Sequence, residues 1–155
     1  MSEEAKDPRI GRTAPPVKMR VEYGKIREFA KAIKDDNPVY FDEGHAAREA
    51  GGVVPPPTFS MTMSHWTEGV IGGPKLDMDL RRVLHGEQEF EYVRPIRAGD
   101  VLTFRSRTKD VLQKEGKRGG TMTFVIGETE FKNQRGEVVA YMRNTAIETA
   151  DAVKG

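Results

Sequence analysis

The stretch KDDNPVY, residues 34–40, sets two carboxylates, Asp35 and Asp36, directly ahead of an Asn-Pro step and a tyrosine, Tyr40. A carboxylate that shares one water with an imidazole can accept or deliver a proton near neutrality, because the two pKa values bracket pH 7. Three histidines are available for that second role. His45 falls in the polar stretch DEGHAAREA and reads as solvated. His65 precedes Trp66 in an apolar stretch and reads as a core histidine bonded to a carbonyl. His85 opens an alternating run beside Gly86, where a backbone can approach closely, and has the strongest claim to a site role. Tyr40, a phenol of ordinary pKa about 10, is protonated at neutral pH and makes a poor base. Asp35 also has a purely structural reading, since Asp before Asn-Pro forms turns by accepting backbone N–H bonds, and Asn37 anchors the same turn. With no cysteine, thiol nucleophiles, thiolate metal sites and disulfides are excluded. No HExxH motif, metal-ligand spacing or phosphate-loop GK[ST] is present, so neither a metal nor a nucleotide is expected.

The elements that must hold these residues are readable from period and punctuation. YGKIREFAKAIK places Ile26, Phe29, Ala30 and Ile33 on one helical face and stops at DDNP, where the residue before Pro38 leaves the α region. DEGHAAREA predicts a second short helix ended by Gly51 and Gly52. After the three prolines of VVPPPTF, the spacing of Phe59, Met63, Trp66 and Val70 predicts a buried helix. That stripe is core first and ligand-channel lining second, as adaptable Met suits both. A Gly/Pro loop follows. From LHGEQEF onward the period falls to two, with turns at RAGD, KEGKRGG and NQRG. Lys114, Lys117 and Arg118 make the middle turn basic; a solvated hairpin is the simplest reading, and contact with a ligand's phosphate is the other. Helices followed by strands predict an α+β fold, an antiparallel sheet around a buried helix, whose exposed edges favour dimerisation. Residues 1–17 are too polar to bury much surface and are expected to be a flexible tail, with a single domain over 18–150 and a short tail over 151–155.

The chain has 155 residues, with 25 Lys and Arg against 24 Asp and Glu. That balance argues against nucleic acid and anionic membranes as partners, and no apolar run is long enough to span a bilayer. A cytoplasmic protein is the default expectation.

DDNPVYFDEGHAAREAGG resembles the signature of MaoC-like (R)-specific enoyl hydratases and hydroxyacyl dehydratases, Gly-Asp-x-Asn-Pro-φ-His with φ aliphatic. LHGEQEFEYVRPIRAGDVL is similar to the family's later strand with Arg-Pro and then Gly-Asp. With the PPPTF entry, the likeness covers roughly residues 20–147 and is nearest to the N-terminal, fatty-acid-synthase-like dehydratase type. It extends to the small acyl-binding subunits of mycobacterial heterodimeric hydroxyacyl-carrier-protein dehydratases. The resemblance implies a hot-dog fold, an antiparallel sheet wrapped around a long buried helix and usually paired. It also implies a thioester of CoA or acyl carrier protein as ligand, no cofactor, and a homodimer or a heterodimer with another hot-dog chain. Asp35 stands in the catalytic Asp position. Tyr40 occupies the catalytic His position, and Pro55, Pro56, Pro57 and Thr58 stand where active members read His-Gly, leaving Thr58 or Phe59 to supply an oxyanion-binding N–H. Asn37, Tyr40, Thr58, Phe59 and Met63 are the candidate substrate-binding residues, and Asp35 with His85 the candidate catalytic pair. These departures favour a substrate-shaping half that works with a catalytic partner. A self-sufficient homodimer using Asp35 and His85, a non-catalytic acyl-CoA-binding module and, less readily, a thioesterase remain as alternatives.

Overall fold

The computed structural model describes residues 6–66, 74–116 and 120–151. Strand β1 (Val17–Arg20) leads to helix α1 (Tyr23–Ala32) and helix α2 (Glu43–Ala50), and the rest is carried by β2 (Val83–Tyr92), β3 (Val101–Glu115), β4 (Thr121–Lys132) and β5 (Val138–Glu148). Three 3-10 turns join them, at Pro38–Tyr40, Phe59–Trp66 and Leu80–Arg82. The strands form one antiparallel sheet in the order β1-β3-β4-β5-β2. This is the expected α+β arrangement. Period two is the cause: Leu102, Phe104, Ser106 and Thr108 of β3 are all buried, as are Val125, Thr129 and Phe131 of β4. The NQRG turn closes β4 on β5 because Asn133 Oδ1 accepts the N–H groups of Arg135 and Glu137 while Gly136 takes φ 78°. Of KEGKRGG, residues 117–119 lie outside the described residues, Lys117 and Arg118 among them.

The helices follow their apolar stripes and stop where their caps dictate. Ile26 and Ala30 of α1 are fully buried against Met19, Val21 and Phe104, and the Phe29 ring meets Phe59 edge-on at 5.7 Å. Ile33, expected on that face, is 47% exposed, because α1 ends at Ala32 and the chain has already turned outward. For α2, Asp42 accepts the His45 N–H at 2.8 Å at the start, and Gly51 at φ 69° ends the helix.

Two expectations need correction. Residues 6–16 are no loose tail: Gly11 and Ala14 donate to the carbonyls of Thr108 and Ser106, both at 2.9 Å, and Thr108 donates to the Arg12 carbonyl at 2.8 Å. Four-residue β1 covers only the start of fifteen-residue β3, and this segment satisfies part of the edge that β1 leaves open. The second concerns Phe59–Trp66, which is a 3-10 helix rather than α. Ser60, Thr62 and Ser64 alternate with its apolar residues, and hydroxyls compete for backbone bonds. A three-residue period then turns Phe59 with Thr62, and Ser60 with Met63, inward, and leaves Met61 and Ser64 exposed. His65 is exposed too, not a core histidine. Val70 lies outside the described residues.

Candidate functional site

The Asp-x-Asn-Pro turn is built by its own side chains. Asp35 Oδ1 accepts the Asn37 N–H at 3.2 Å, and Asn37 Oδ1 accepts the Val39 N–H at 3.0 Å, which starts the turn through Pro38. The chain enters it through Lys34 at φ 59°, a left-handed conformation at the place where the family signature carries glycine. Tyr23 Oη donates to the Phe41 carbonyl at 2.7 Å and pins the far end to α1. Asn37→Ala is therefore expected to cost about 1 kcal/mol, the usual loss for a capping side chain, in urea unfolding. An unchanged midpoint would show that the turn holds without it.

Tyr40 is delivered into the core by this turn and is only 7% exposed. Burial raises the pKa of its phenol above the ordinary value, and the negative charge of Asp35 and a hydrogen bond to that carboxylate raise it further. Asp35 thus faces a phenol that keeps its proton, where active members of the signature would present an imidazole. Asp36 is exposed.

The proline entry is fixed by the other family-like segment. Arg97 caps the end of α2 by donating to the Ala50 carbonyl at 2.8 Å, and the Ala98 N–H reaches the Val53 carbonyl at 2.8 Å. Tyr92 Oη donates to the Pro57 carbonyl. Thr58 is exposed and Phe59 buried. The Phe59 N–H, one of the two candidates for an oxyanion contact, already donates to the Pro56 carbonyl at 2.9 Å.

A cavity of about 310 Å³ lies on the concave face of the sheet, between β2–β5 and the Phe59–Trp66 segment. Met61, Met63, Val125 and Met142 give it an apolar wall, and His85 and Asn144 line it as well. Ser106 and Thr129 share a hydrogen bond of 2.7 Å at its floor, whereas the buried hydroxyl of Thr108 has no partner among the described residues. His85 reaches this face because β2 carries a bulge between His85 and Glu87. Gly86 permits it: a Cβ there would stand 2.8 Å from Ile147 Cδ1. The structure therefore brings Met63 and His85 to one cavity and Asp35, Asn37 and Tyr40 to one turn. Asp35 does not line the cavity that His85 lines, so the two candidate catalytic residues are not gathered around it. Ser106, Thr108, Gln88 and Asn144 went unnoticed as lining residues. The signal was present in LTFRSRT, where two hydroxyls take the inward positions of an alternating strand. A larger hollow of about 470 Å³ lies on the opposite, charged face of the sheet.

The comparisons agree with this architecture. Residues 9–142 match the model of the family described as FAS1-like, dehydratase domain region. A UPF0336 protein of Thermobifida fusca is 41% identical over 134 residues, 84% of each chain. Among solved structures, the C-terminally truncated HadBC (3R-hydroxyacyl-ACP dehydratase) complex of Mycobacterium tuberculosis superposes with a TM-score of 0.73 at 25% identity, over 92% of this chain and 99% of that one. A MaoC-like dehydratase from Rhodospirillum rubrum shares the fold at a TM-score of 0.68 and 20% identity, over 93% and 94% of the two chains. The sheet with its inward-facing helical layer is thus the hot-dog fold, and the chain belongs to the FAS1-like dehydratase-region family of hot-dog hydratases and dehydratases.

Proposed function

We propose that this chain is the substrate-binding half of a two-chain (R)-specific hydratase/dehydratase for enoyl and 3-hydroxyacyl thioesters of CoA or acyl carrier protein. The reaction adds hydroxide to the β carbon and a proton to the α carbon, or removes both as water. One group must take a proton from water and another must deliver one to carbon. The observation that carries the reading is Tyr40: a buried phenol pushed upward in pKa by burial and by Asp35 keeps its proton, so the pair lacks the imidazole. In this reading a second hot-dog chain supplies the carboxylate–imidazole pair. The apolar cavity beside Met63 receives the acyl group, with Asn37, Tyr40, Thr58 and Phe59 shaping the approach and His85 at its rim. The reaction needs no cofactor and takes place in the cytoplasm. The structural likeness to the HadBC complex supports the two-chain arrangement.

The test is turnover of crotonyl-CoA by the purified chain. Alone it is expected to be no faster than buffer. Mixed with a hot-dog dehydratase chain that carries both Asp and His in its Asn-Pro motif, turnover is expected to rise at least about tenfold above that partner alone, well inside the range of acid–base contributions. Turnover by the single chain, lost in both Asp35→Asn and His85→Ala, would sink the reading in favour of the self-sufficient enzyme.

A further inference from the structure

The convex face of the sheet, opposite the cavity, carries an order of its own. Register places Arg107, Glu128, Arg143 and Glu89 side by side across β3, β4, β5 and β2. The signs run plus, minus, plus, minus. In the neighbouring row Arg105, Glu130, Tyr141 and Glu91 repeat the pattern with a tyrosine in the third place. Beyond the β3 bulge the row is Asp110, Ile126, Thr145 and Glu87, acidic at both ends; Asp110 accepts the Val111 N–H, and Lys109, the bulged residue beside it, pairs with Glu128. A last row, Leu112, Phe124, Ile147 and Leu84, is wholly apolar. Leu112 and Leu84 are each 42% exposed. Four large apolar side chains in line across an outward sheet face are a surface awaiting cover.

The sign sequence says what covers it. Reversed end for end, plus-minus-plus-minus becomes minus-plus-minus-plus, its own complement. A two-fold axis parallel to the strands, lying between the faces of two copies, sets β3 over the partner's β2 and β4 over its β5. Arg107 of β3 then meets the partner's Glu89, Arg105 meets the partner's Glu91, and the apolar row meets itself; Asp110 comes over the partner's Glu87, with Lys109 beside it. An axis across the strands would set β3 on β3 and stack like charges. We infer that the convex face is an isologous docking surface for a second copy of this chain, sheet against sheet, about a two-fold axis parallel to the strands.

Four strands about 4.8 Å apart, over some 25 Å of length, give on the order of 500 Å² a side, so roughly 1,000 Å² in all. That is the lower end of specific interfaces, and the pairing is therefore weak and concentration-dependent. It is separate from the pairing proposed at the thioester site, and it doubles whatever assembly that pairing makes.

The experiment is sedimentation equilibrium of the full chain across a concentration series, with Leu112→Asp, Leu84→Lys and their equimolar mixture. Both positions are half-exposed and outside the ion pairs of this face, and far-UV circular dichroism checks that each variant is folded. Each variant alone sets a charge on the partner's leucine and is expected to show half the wild-type mass. In the mixture the new carboxylate of one chain faces the new ammonium of the other, the two native leucines meet at the far end, and the wild-type mass returns. Variants that keep the wild-type mass overturn the docking surface. A mixture that stays at the halved mass overturns the axis. Activity with the catalytic partner is expected to survive in every sample, so failure here is distinct from failure of the two-chain dehydratase reading.

Discussion

Phe131→Ala is expected to lower the unfolding free energy by about 3–5 kcal/mol, the range for removing a fully buried aromatic ring. Phe131 is at 0% exposure on β4, and its ring lies 5.5 Å from that of Phe104 on β3, itself at 1%. These two rings fill the concave face that α1 and the Phe59 segment cover. Deleting one leaves a hole that several elements would have to close together. Against a total stability of about 5–15 kcal/mol, the loss is a large fraction and would lower the melting temperature by about 6–20 °C. Thermal unfolding by circular dichroism reads it. A shift below about 3 °C would mean that the two rings are not the packed centre described above.

Glu128→Gln is expected to cost about 2 kcal/mol and to flatten the acid limb of stability, for a reason on the opposite face. The Glu128 side chain is 7% exposed and takes Arg107 at 2.6 Å, Lys109 at 3.0 Å and Arg143 at 2.7 Å. Burial alone would raise its pKa, but hydrogen bonds from Arg143, Arg107 and Lys109 outweigh that and hold the carboxyl at about 2, against an ordinary 4.5. A carboxyl whose folded pKa is depressed contributes stability that is complete above its unfolded pKa and is lost as pH falls through the folded one. The wild-type chain should therefore lose this contribution between pH 4.5 and about 2. The Gln variant, with nothing to titrate there, should be less stable at pH 7 and lose less over that interval. The cations it leaves behind are partly exposed, which keeps the cost near the low end for charged hydrogen bonds. Urea unfolding at several pH values decides it, and equal acid slopes in the two proteins would remove Glu128 from the account.

The signature turn was legible because its bonds are local. Asp35, Asn37 and Pro38 reach backbone groups no more than five residues away, so residue type and order suffice to set them. The departure at Tyr40 was legible for the same reason, as a residue type in a motif frame. The caps of α2 and the NQRG hairpin belong to this class too. His65 was misread because an apolar context was taken for an α-helical face, and the three-residue period of the 3-10 segment turned it outward. Ser106 and Thr108 sat in plain alternation, but an inward hydroxyl becomes a cavity wall only once β4 and β5 bring Thr129 and Asn144 beside it.

From the sequence by itself came the element types and most of their order along the chain: two amphipathic helices with their stops, four alternating strands with their turns, and a family motif with a phenol in it. All of these depend on interactions within a few residues, where period and capping chemistry operate. Only the tertiary structure decided that residues 6–16 lie along β3, that His85 lines the concave cavity while Asp35 stays in its turn outside it, and that the charged residues of four strands fall into alternating rows. Strand order and cross-strand register set these, through hydrogen bonds between residues as far apart in sequence as Gly11 and Thr108. A one-residue slip of any strand would have sent the same side chains to the other face.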